Sequence, residues 1–134
     1  MGKFNSFEEI NSWQRARVFN KWIYLITENT NFKKDYDFTR QIRRDWISIS
    51  SNIAEGFERN TDKEFIYFLY VAKASAGEVR SQLYRALDRN HITIEEFDSL
   101  KLQSEQISKQ LKGFIAYLNN SEFKGAKYKV VKED

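Results

Sequence analysis

The chain has 134 residues, no cysteine and no proline, and its 22 Lys and Arg against 19 Asp and Glu leave a formal net charge of +3. A chain of this length supports one hydrophobic core, so we expect a single domain. Without cysteine it forms neither disulfides nor thiolate metal sites, which suits a reducing cytoplasm. We find no secretory signal and no apolar stretch of membrane-spanning length, and therefore expect a soluble, cytoplasmic protein with no membrane partner.

Helix-forming residues dominate, because proline is absent and only five glycines interrupt the sequence. Three hydroxyl residues each precede a glutamate by three positions, as in a helix capping box. These pairs are Ser6 with Glu9, Thr61 with Glu64, and Thr93 with Glu96. Asp37 offers a simpler N-cap for a further helix. Apolar residues recur at spacings of three and four, so the sequence predicts helices over residues 7–29, 37–57, 62–90 and 94–120.

The predicted helices are joined by short connections, which favour antiparallel neighbours. We therefore predict an all-α fold, an antiparallel up-and-down four-helix bundle formed by residues 1–120. Gly56, near the end of the second predicted helix, fits a left-handed C-terminal cap. The basic segment 121–134 has little to bury, and we expect it to be a mobile tail.

The third predicted helix is apolar or aromatic on every side from Phe65 to Ala72. Such a helix is normally covered all round, whereas one bundle covers only part of it. We therefore predict homo-oligomerisation through a second face of this helix. The residues of this face are Ile66, Tyr67, Tyr70, Ala74 and Gly77. The alternative is that tyrosines at the edge of a bundle are half-buried and keep their hydroxyls in water.

No residues are arranged for catalysis. Di-iron sites in helical bundles need two histidines with several glutamates, and this chain has one histidine, His91. We interpret His91, in a predicted turn, as a solvated C-terminal charge or cap. A nucleophile with an adjacent base and a phosphate-binding glycine loop are both missing. We predict a non-enzymatic protein with no metal, no cofactor and no small-molecule substrate, whose function lies in binding or assembly.

Three polar residues share one face of the second predicted helix, namely Ser48, Asn52 and Glu55. We interpret them as a polar network between helices or subunits that fixes their register. A catalytic role for the Glu55 carboxylate is the less favoured alternative, because no second acid, metal or histidine lies nearby in the sequence.

Basic residues are the one group of charged side chains that the sequence places on a common face. They are Arg40, Arg43 and Arg44 on one helix face, followed by Arg59 and Lys63 around the next turn. Arginines in a stripe are suited to contact a phosphate backbone through paired hydrogen bonds. The alternative is that they pair with acids such as Asp37 and Asp45 on a solvated face.

One run of residues resembles the signature of a bacterial family. It consists of Gln41 to Arg44, then the stretch from Ser48 to Gly56, then Arg59, and it continues from Lys63 to Leu69. The run is similar to the four-helix bundle proteins encoded in intervening sequences of bacterial 23S ribosomal RNA genes. Relatives of that family are accessory variability proteins of diversity-generating retroelements. The likeness covers about residues 6–118.

The resemblance implies a homopentamer, a basic surface that contacts RNA or DNA and, for the retroelement relatives, a reverse transcriptase partner; it implies no enzymatic activity. Our leading hypothesis is an oligomer that binds RNA through a basic surface. The residues of this surface are Arg40, Arg43, Arg44, Arg59 and Lys63, with Lys124 and Lys127 of the tail. The rival hypothesis is a protein-binding scaffold or accessory factor whose arginines lie in subunit interfaces.

Overall fold

The computed structural model describes residues 4–120, and that part of the chain is helical with no strand. A 3-10 turn at Phe7–Glu9 precedes five helices. These are α1 (Asn11–Thr27), α2 (Thr30–Lys34), α3 (Tyr36–Phe57), α4 (Asp62–Asp88) and α5 (Ile94–Asn120). The predicted all-α class is confirmed, whereas the predicted tail 121–134 lies outside the described residues. None of the helices in this part is long and apolar enough to cross a membrane.

Two of the three predicted capping boxes start helices. The Thr61 hydroxyl accepts from the backbone N–H of Glu64 at 3.1 Å, which starts α4. At the start of α5 both bonds of the box form: the Thr93 hydroxyl accepts from Glu96 N–H at 3.1 Å, and the Glu96 carboxylate accepts from Thr93 N–H at 2.9 Å. These bonds satisfy donors that the first turn of a helix leaves free.

The other two predicted N-caps do not form. Ser6 forms no side-chain cap, because the Glu9 carboxylate accepts from the backbone N–H of Asn5 at 3.1 Å and a 3-10 turn follows. Asp37 is not an N-cap either, since α3 begins one residue earlier and Asp37 lies in its first turn. A carboxylate there still favours the helix, because it faces the positive end of the helix dipole.

The predicted loop between the first two long helices contains the short helix α2. The Asn29 side chain caps it by accepting from the backbone N–H of Phe32 at 2.9 Å. Phe32 is buried, and its carbonyl accepts from the Thr39 hydroxyl of α3 at 2.5 Å. The apolar side chain of Phe32 thus fastens α2 to the end of the helical bundle.

Four long helices pack around one apolar core, with α1 and α4 each in contact with both α3 and α5. Phe19 of α1 lies against Trp46 of α3, their ring centroids 3.5 Å apart. Phe65 of α4 meets Phe114 of α5 edge to face at 5.4 Å. Each such buried side chain contributes about 1.5–3 kcal/mol of hydrophobic stabilisation. The periodicity in the sequence therefore identified the faces that pack inward.

Polar side chains link each neighbouring pair of long helices at one or two points. The bonds include Asn20 to Ser50 at 3.1 Å between α1 and α3, Ser48 to Ser75 at 2.9 Å between α3 and α4, and Arg80 to Ser108 at 2.7 Å between α4 and α5. The predicted network between helices is thus present at Ser48, to which Asn52 also donates at 2.8 Å. Glu55 takes no part in it, because it is exposed and pairs with Arg59.

Gly56 is not a left-handed cap, which corrects the sequence prediction. It is a buried residue within α3, at the point where α3 and α4 approach most closely at this end. A Cβ atom added there would lie 2.6 Å from the Phe68 Cβ and 3.0 Å from the Phe65 Cδ1. Glycine is required for this close approach and not for its conformational freedom. Within residues 4–120, the non-glycine residue with positive φ is Asn90, which follows α4.

Candidate nucleic-acid interface

Arg43 joins α3 to the end of α1. Its Nε donates to the Thr27 hydroxyl at 2.7 Å and its Nη2 donates to the Glu28 carboxylate at 2.6 Å. The guanidinium also lies 4.6 Å from the ring centroid of Tyr24. The hydrogen bond from Arg43 lowers the pKa of Glu28, and a second bond from Lys33 adds to the effect. These contacts make Arg43 a structural link, because its Nε and Nη2 are both engaged at the end of α1.

Arg40 and Arg44 lie on the outer face of α3 and are exposed. The Arg40 guanidinium sits 5.8 Å from the ring of Tyr36, one turn earlier. Among residues 4–120 neither arginine forms an ion pair, and Asp45 instead accepts from Gln82 of α4 at 2.6 Å. Two guanidinium groups on one helix face are therefore available for a ligand.

The difference between Arg43 and Arg44 follows from helix geometry. Residues at i and i+4 point in nearly the same direction, whereas a residue at i+3 is rotated by about 60° to one side. In α3 that rotation turns Arg43 toward α1 and leaves Arg40 and Arg44 facing outward. The three arginines share a broad face, but only two of them have free guanidinium groups.

The remaining predicted basic residues lie at the opposite end of α3. Arg59 pairs with Glu55 at 3.1 Å and its guanidinium lies 4.8 Å from the Phe68 ring. Lys63 is exposed in the first turn of α4. At a rise of about 1.5 Å per residue, Arg44 is about 20 Å from the end of α3. The single basic surface predicted from sequence is thus two separate patches, and Lys124 and Lys127 lie outside the described residues.

The face predicted for self-association is largely exposed on α4. Tyr67 and Tyr70 are 62% and 53% exposed, and Ala74 is exposed beside them. Ile66 is half-buried and packs against the core, and Gly77 is also half-buried. The surface needed for assembly through Tyr67, Tyr70 and Ala74 is present, and its role stays a prediction.

Sequence reasoning missed a basic and apolar surface on α1. Arg17 and Lys21 are exposed there, next to three apolar side chains that are more than half exposed. The apolar residues are Val18, Trp22 and Leu25. Tyr24 and Ile47 are among the residues that line a groove between this surface and α3. The signal was present in the sequence, because α1 contains three basic residues and no acidic one from Asn11 to Thr27.

His91 is not a solvated cap, contrary to the sequence prediction. Its ring packs 4.9 Å from the ring of Phe32, and only 11% of the side chain is exposed. His91 Nε2 lies 2.8 Å from the Asp35 carboxylate, to which Arg89 also donates at 2.6 Å. The bond from His91, followed by that from Arg89, lowers the pKa of Asp35. The cause of the difference is α2, whose Phe32 covers the imidazole.

Titratable residues in the described part of the chain do not form a candidate metal centre. Between residues 4 and 120, no three His, Asp or Glu side chains are grouped so as to hold a metal ion. The Asp35–His91 pair is not such a group either. Asp35 also pairs with the cation of Arg89, and the His91 ring packs against Phe32.

The model of the family described as 23S rRNA-intervening sequence protein matches residues 8–113 of the chain. The chain belongs to this family. Its match includes α1, α2, α3 and α4 and most of α5, so the exposed arginines of α3 and the basic surface of α1 both lie inside the family region. Lys124 and Lys127 lie beyond it.

A solved structure of similar fold comes from Bacteroides thetaiotaomicron VPI-5482, and it is described as a protein with unknown function from the S23 ribosomal protein family. The two sequences are 27% identical and the structures superpose with a TM-score of 0.73. The likeness covers 78% of this chain and 95% of the Bacteroides chain. No significant match was found among curated proteins. The 23S rRNA-intervening sequence family thus fixes the fold of the chain and leaves its ligand to be inferred from the surface.

Proposed function

We propose that this member of the 23S rRNA-intervening sequence family is a non-enzymatic cytoplasmic protein that binds nucleic acid through Arg40 and Arg44. The observation that carries the proposal is that both guanidinium groups are exposed and form no ion pair within residues 4–120. The neighbouring Arg43, in contrast, is bonded to Thr27 and Glu28. Guanidinium groups bind phosphate oxygens through two parallel hydrogen bonds. Because the description of the family refers to 23S rRNA, RNA is the first nucleic acid to test.

We further propose that the four long helices run in an antiparallel up-and-down order. Contacts between α1 and α3 support this order, because a residue late in α1 meets one early in α3. Thr27 contacts Arg43, whereas the earlier Asn20 contacts the later Ser50. In helices that ran in the same direction, both members of each pair would advance together.

Self-association would add strength to weak contacts with phosphate. We propose a homo-oligomer, for which the pentamer implied by the resemblance is the first model to test. Exposed Tyr67 and Tyr70 on α4 and the apolar residues on α1 support it, because each of these two surfaces groups large apolar side chains that a partner would cover. Each copy would repeat Arg40 and Arg44, so several weak contacts would act on one RNA at once.

The test is the affinity for a fluorescent structured RNA, measured by anisotropy across a range of salt concentrations. Reversal of both charges in Arg40→Glu/Arg44→Glu should weaken binding at least tenfold and reduce the slope of log affinity against log salt by about 1 to 2. The matched control is Lys109→Glu/Lys112→Glu, which changes the net charge equally at exposed positions of α5. The assignment to α3 fails if RNA does not bind at low salt, or if both double reversals weaken binding equally.

A second candidate function is that of a protein-binding scaffold or accessory factor, for example for a reverse transcriptase. The exposed apolar side chains of α1 and α4 favour it, because Val18, Leu25 and Tyr67 offer little to a phosphate backbone. Affinity capture from the native cell separates the two candidates when it is repeated after RNase treatment. A protein that stays bound without RNA supports the scaffold, whereas RNA recovered with the wild type and lost with Arg40→Glu/Arg44→Glu supports nucleic-acid binding.

A further inference from the structure

The outer surface of α1, here called the α1 face, combines apolar side chains with positive charge. It consists of Arg17, Val18, Lys21, Trp22 and Leu25. Val18, Trp22 and Leu25 are 52%, 51% and 59% exposed, and they recur at spacings of four and three along the outer side of the helix. From Asn11 to Thr27 the sequence contains three basic residues and no acidic one, a formal charge of +3. An occupant of the α1 face must therefore supply both apolar and acidic groups.

The same chain carries a surface of that chemistry at the start of α5, here called the α5 face. It consists of Ile94, Glu95, Asp98 and Leu102, with Ile94 and Leu102 exposed at 52% and 55%. From Ile94 to Glu105 there are four acidic residues and one basic residue, a formal charge of −3. The one basic residue, Lys101, is paired with Glu105 at 3.1 Å. Negative charge therefore dominates this half of the helix.

We propose that the α1 face of one copy binds the α5 face of a second copy. The inference rests on the assembly part of the proposed function and names the surfaces that carry it. The two faces also match in length: Val18 to Leu25 spans about 10 Å of helix and Ile94 to Leu102 about 12 Å. Contact would cover five large apolar side chains and set Arg17 and Lys21 opposite Glu95 and Asp98.

Charge disfavours a contact between two faces of the same kind. Two α1 faces in a symmetric dimer would oppose Arg17 and Lys21 to themselves, and two α5 faces would oppose Glu95 to Asp98. Like charges in contact are unfavourable, so each face binds the other kind. Because every copy has one face of each kind, two copies pair both faces reciprocally about a two-fold axis, or successive copies pair head-to-tail and close into a ring or continue as a filament.

The α4 face predicted from sequence matches the α1 face less well. Around Tyr67 and Tyr70 it carries exposed Lys63 as well as Glu64 and Glu78, so neither sign of charge prevails. Nucleic acid matches the positive charge of the α1 face but offers no partner to Val18 and Leu25, and it would be repelled by the α5 face. A second copy satisfies the apolar and the charged groups of both faces.

The test is the mass of the intact chain at micromolar concentration, measured by light scattering coupled to size exclusion. The wild type should have a mass of at least twice 16.0 kDa. Arg17→Glu/Lys21→Glu should fall to a mass of 16.0 kDa, and so should Glu95→Lys/Asp98→Lys. The chain with all four substitutions has both faces reversed and should recover the wild-type mass. Circular dichroism checks that each variant keeps its helix content.

Recovery in the four-fold variant decides the inference, because a loss of mass in either double variant alone could come from misfolding. An oligomer that survives both double reversals, or a four-fold variant that stays at 16.0 kDa, overturns it. Tyr67→Ser/Tyr70→Ser is the control for the α4 face. If it alone dissociates the wild-type oligomer, assembly stands and the α1–α5 pairing is wrong. If the wild type is itself a 16.0 kDa species, the proposed assembly fails together with the pairing.

Discussion

Replacement of Gly56 by alanine should destabilise the protein, although alanine is the better helix former. In a helix interior the exchange alone favours folding by about 0.8–1 kcal/mol, which is the upper limit for Gly56, next to the last residue of α3. Here the new Cβ would lie 2.6 Å from the Phe68 Cβ and 3.3 Å from the Phe65 carbonyl oxygen. Neither atom is the far end of a flexible side chain, so α3 and α4 would have to move apart.

The size of this loss in unfolding free energy depends on the cost of moving α3 and α4 apart. Overpacking of a well-filled contact costs about 1–3 kcal/mol, and the upper half of that range applies when backbone must move. Separation of α3 and α4 also strains the hydrogen bond between Ser48 and Ser75 at 2.9 Å. After the gain in helix propensity is subtracted, we expect Gly56→Ala to lower the free energy of unfolding by about 1–2 kcal/mol.

Gly113→Ala is the matched control for this substitution. Gly113 is exposed within α5, and a Cβ added there meets no atom within 4 Å. Its replacement should raise the free energy of unfolding by about 0.5–1 kcal/mol. Urea unfolding followed by circular dichroism measures both variants at one protein concentration, because association changes the apparent stability. A Gly56→Ala protein as stable as Gly113→Ala would refute the close approach of α3 and α4.

Three further predictions concern individual side chains. Arg43→Ala should lower the free energy of unfolding by about 1.5–3 kcal/mol in urea titrations, because it loses charged hydrogen bonds, whereas exposed Arg44→Ala should stay within about 0.5 kcal/mol of wild type. Thr93→Ala should cost about 1 kcal/mol and Ser6→Ala almost nothing, since only the threonine caps a helix. The hydrogen bonds from His91 and Arg89 hold the pKa of Asp35 below the 3.8 usual for an aspartate, so its carboxylate stabilises the fold above about pH 4 and loses that effect as the pH falls further. Asp35→Asn should therefore flatten the decline of unfolding free energy between pH 4 and pH 2.

The fold was predictable where a residue's role is decided by near neighbours in the sequence. The periodic apolar residues of α4, such as Phe65 and Leu69, are buried because one side of a regular helix faces the core. Thr61 and Thr93 form their capping bonds because the partner lies three residues along. The short helix α2 was missed, since five residues are too few to show a period and Phe32 is its single buried residue.

Prediction failed where the role is decided by another helix. A glycine near a helix end favours a left-handed cap on local grounds, yet Gly56 is set by the approach of Phe68 from α4. His91 looked solvated because its turn is polar, but Phe32 covers it from a distant part of the chain. Arg43 and Arg44 are adjacent in sequence, and only the position of α1 shows which of them is engaged.

The net charge of the chain does not show how unevenly charge is distributed among its helices. A formal charge of +3 over the chain gives little reason to expect strong electrostatic binding. That small net value conceals a basic α1, an acidic start of α5 and exposed arginines on α3, each on a different helix. If the α1 and α5 faces cover one another between copies, Arg40 and Arg44 stay exposed on every copy of the assembly. Assembly and nucleic-acid binding would then be coupled, and the double reversal Arg17→Glu/Lys21→Glu should weaken RNA binding although neither residue contacts the RNA.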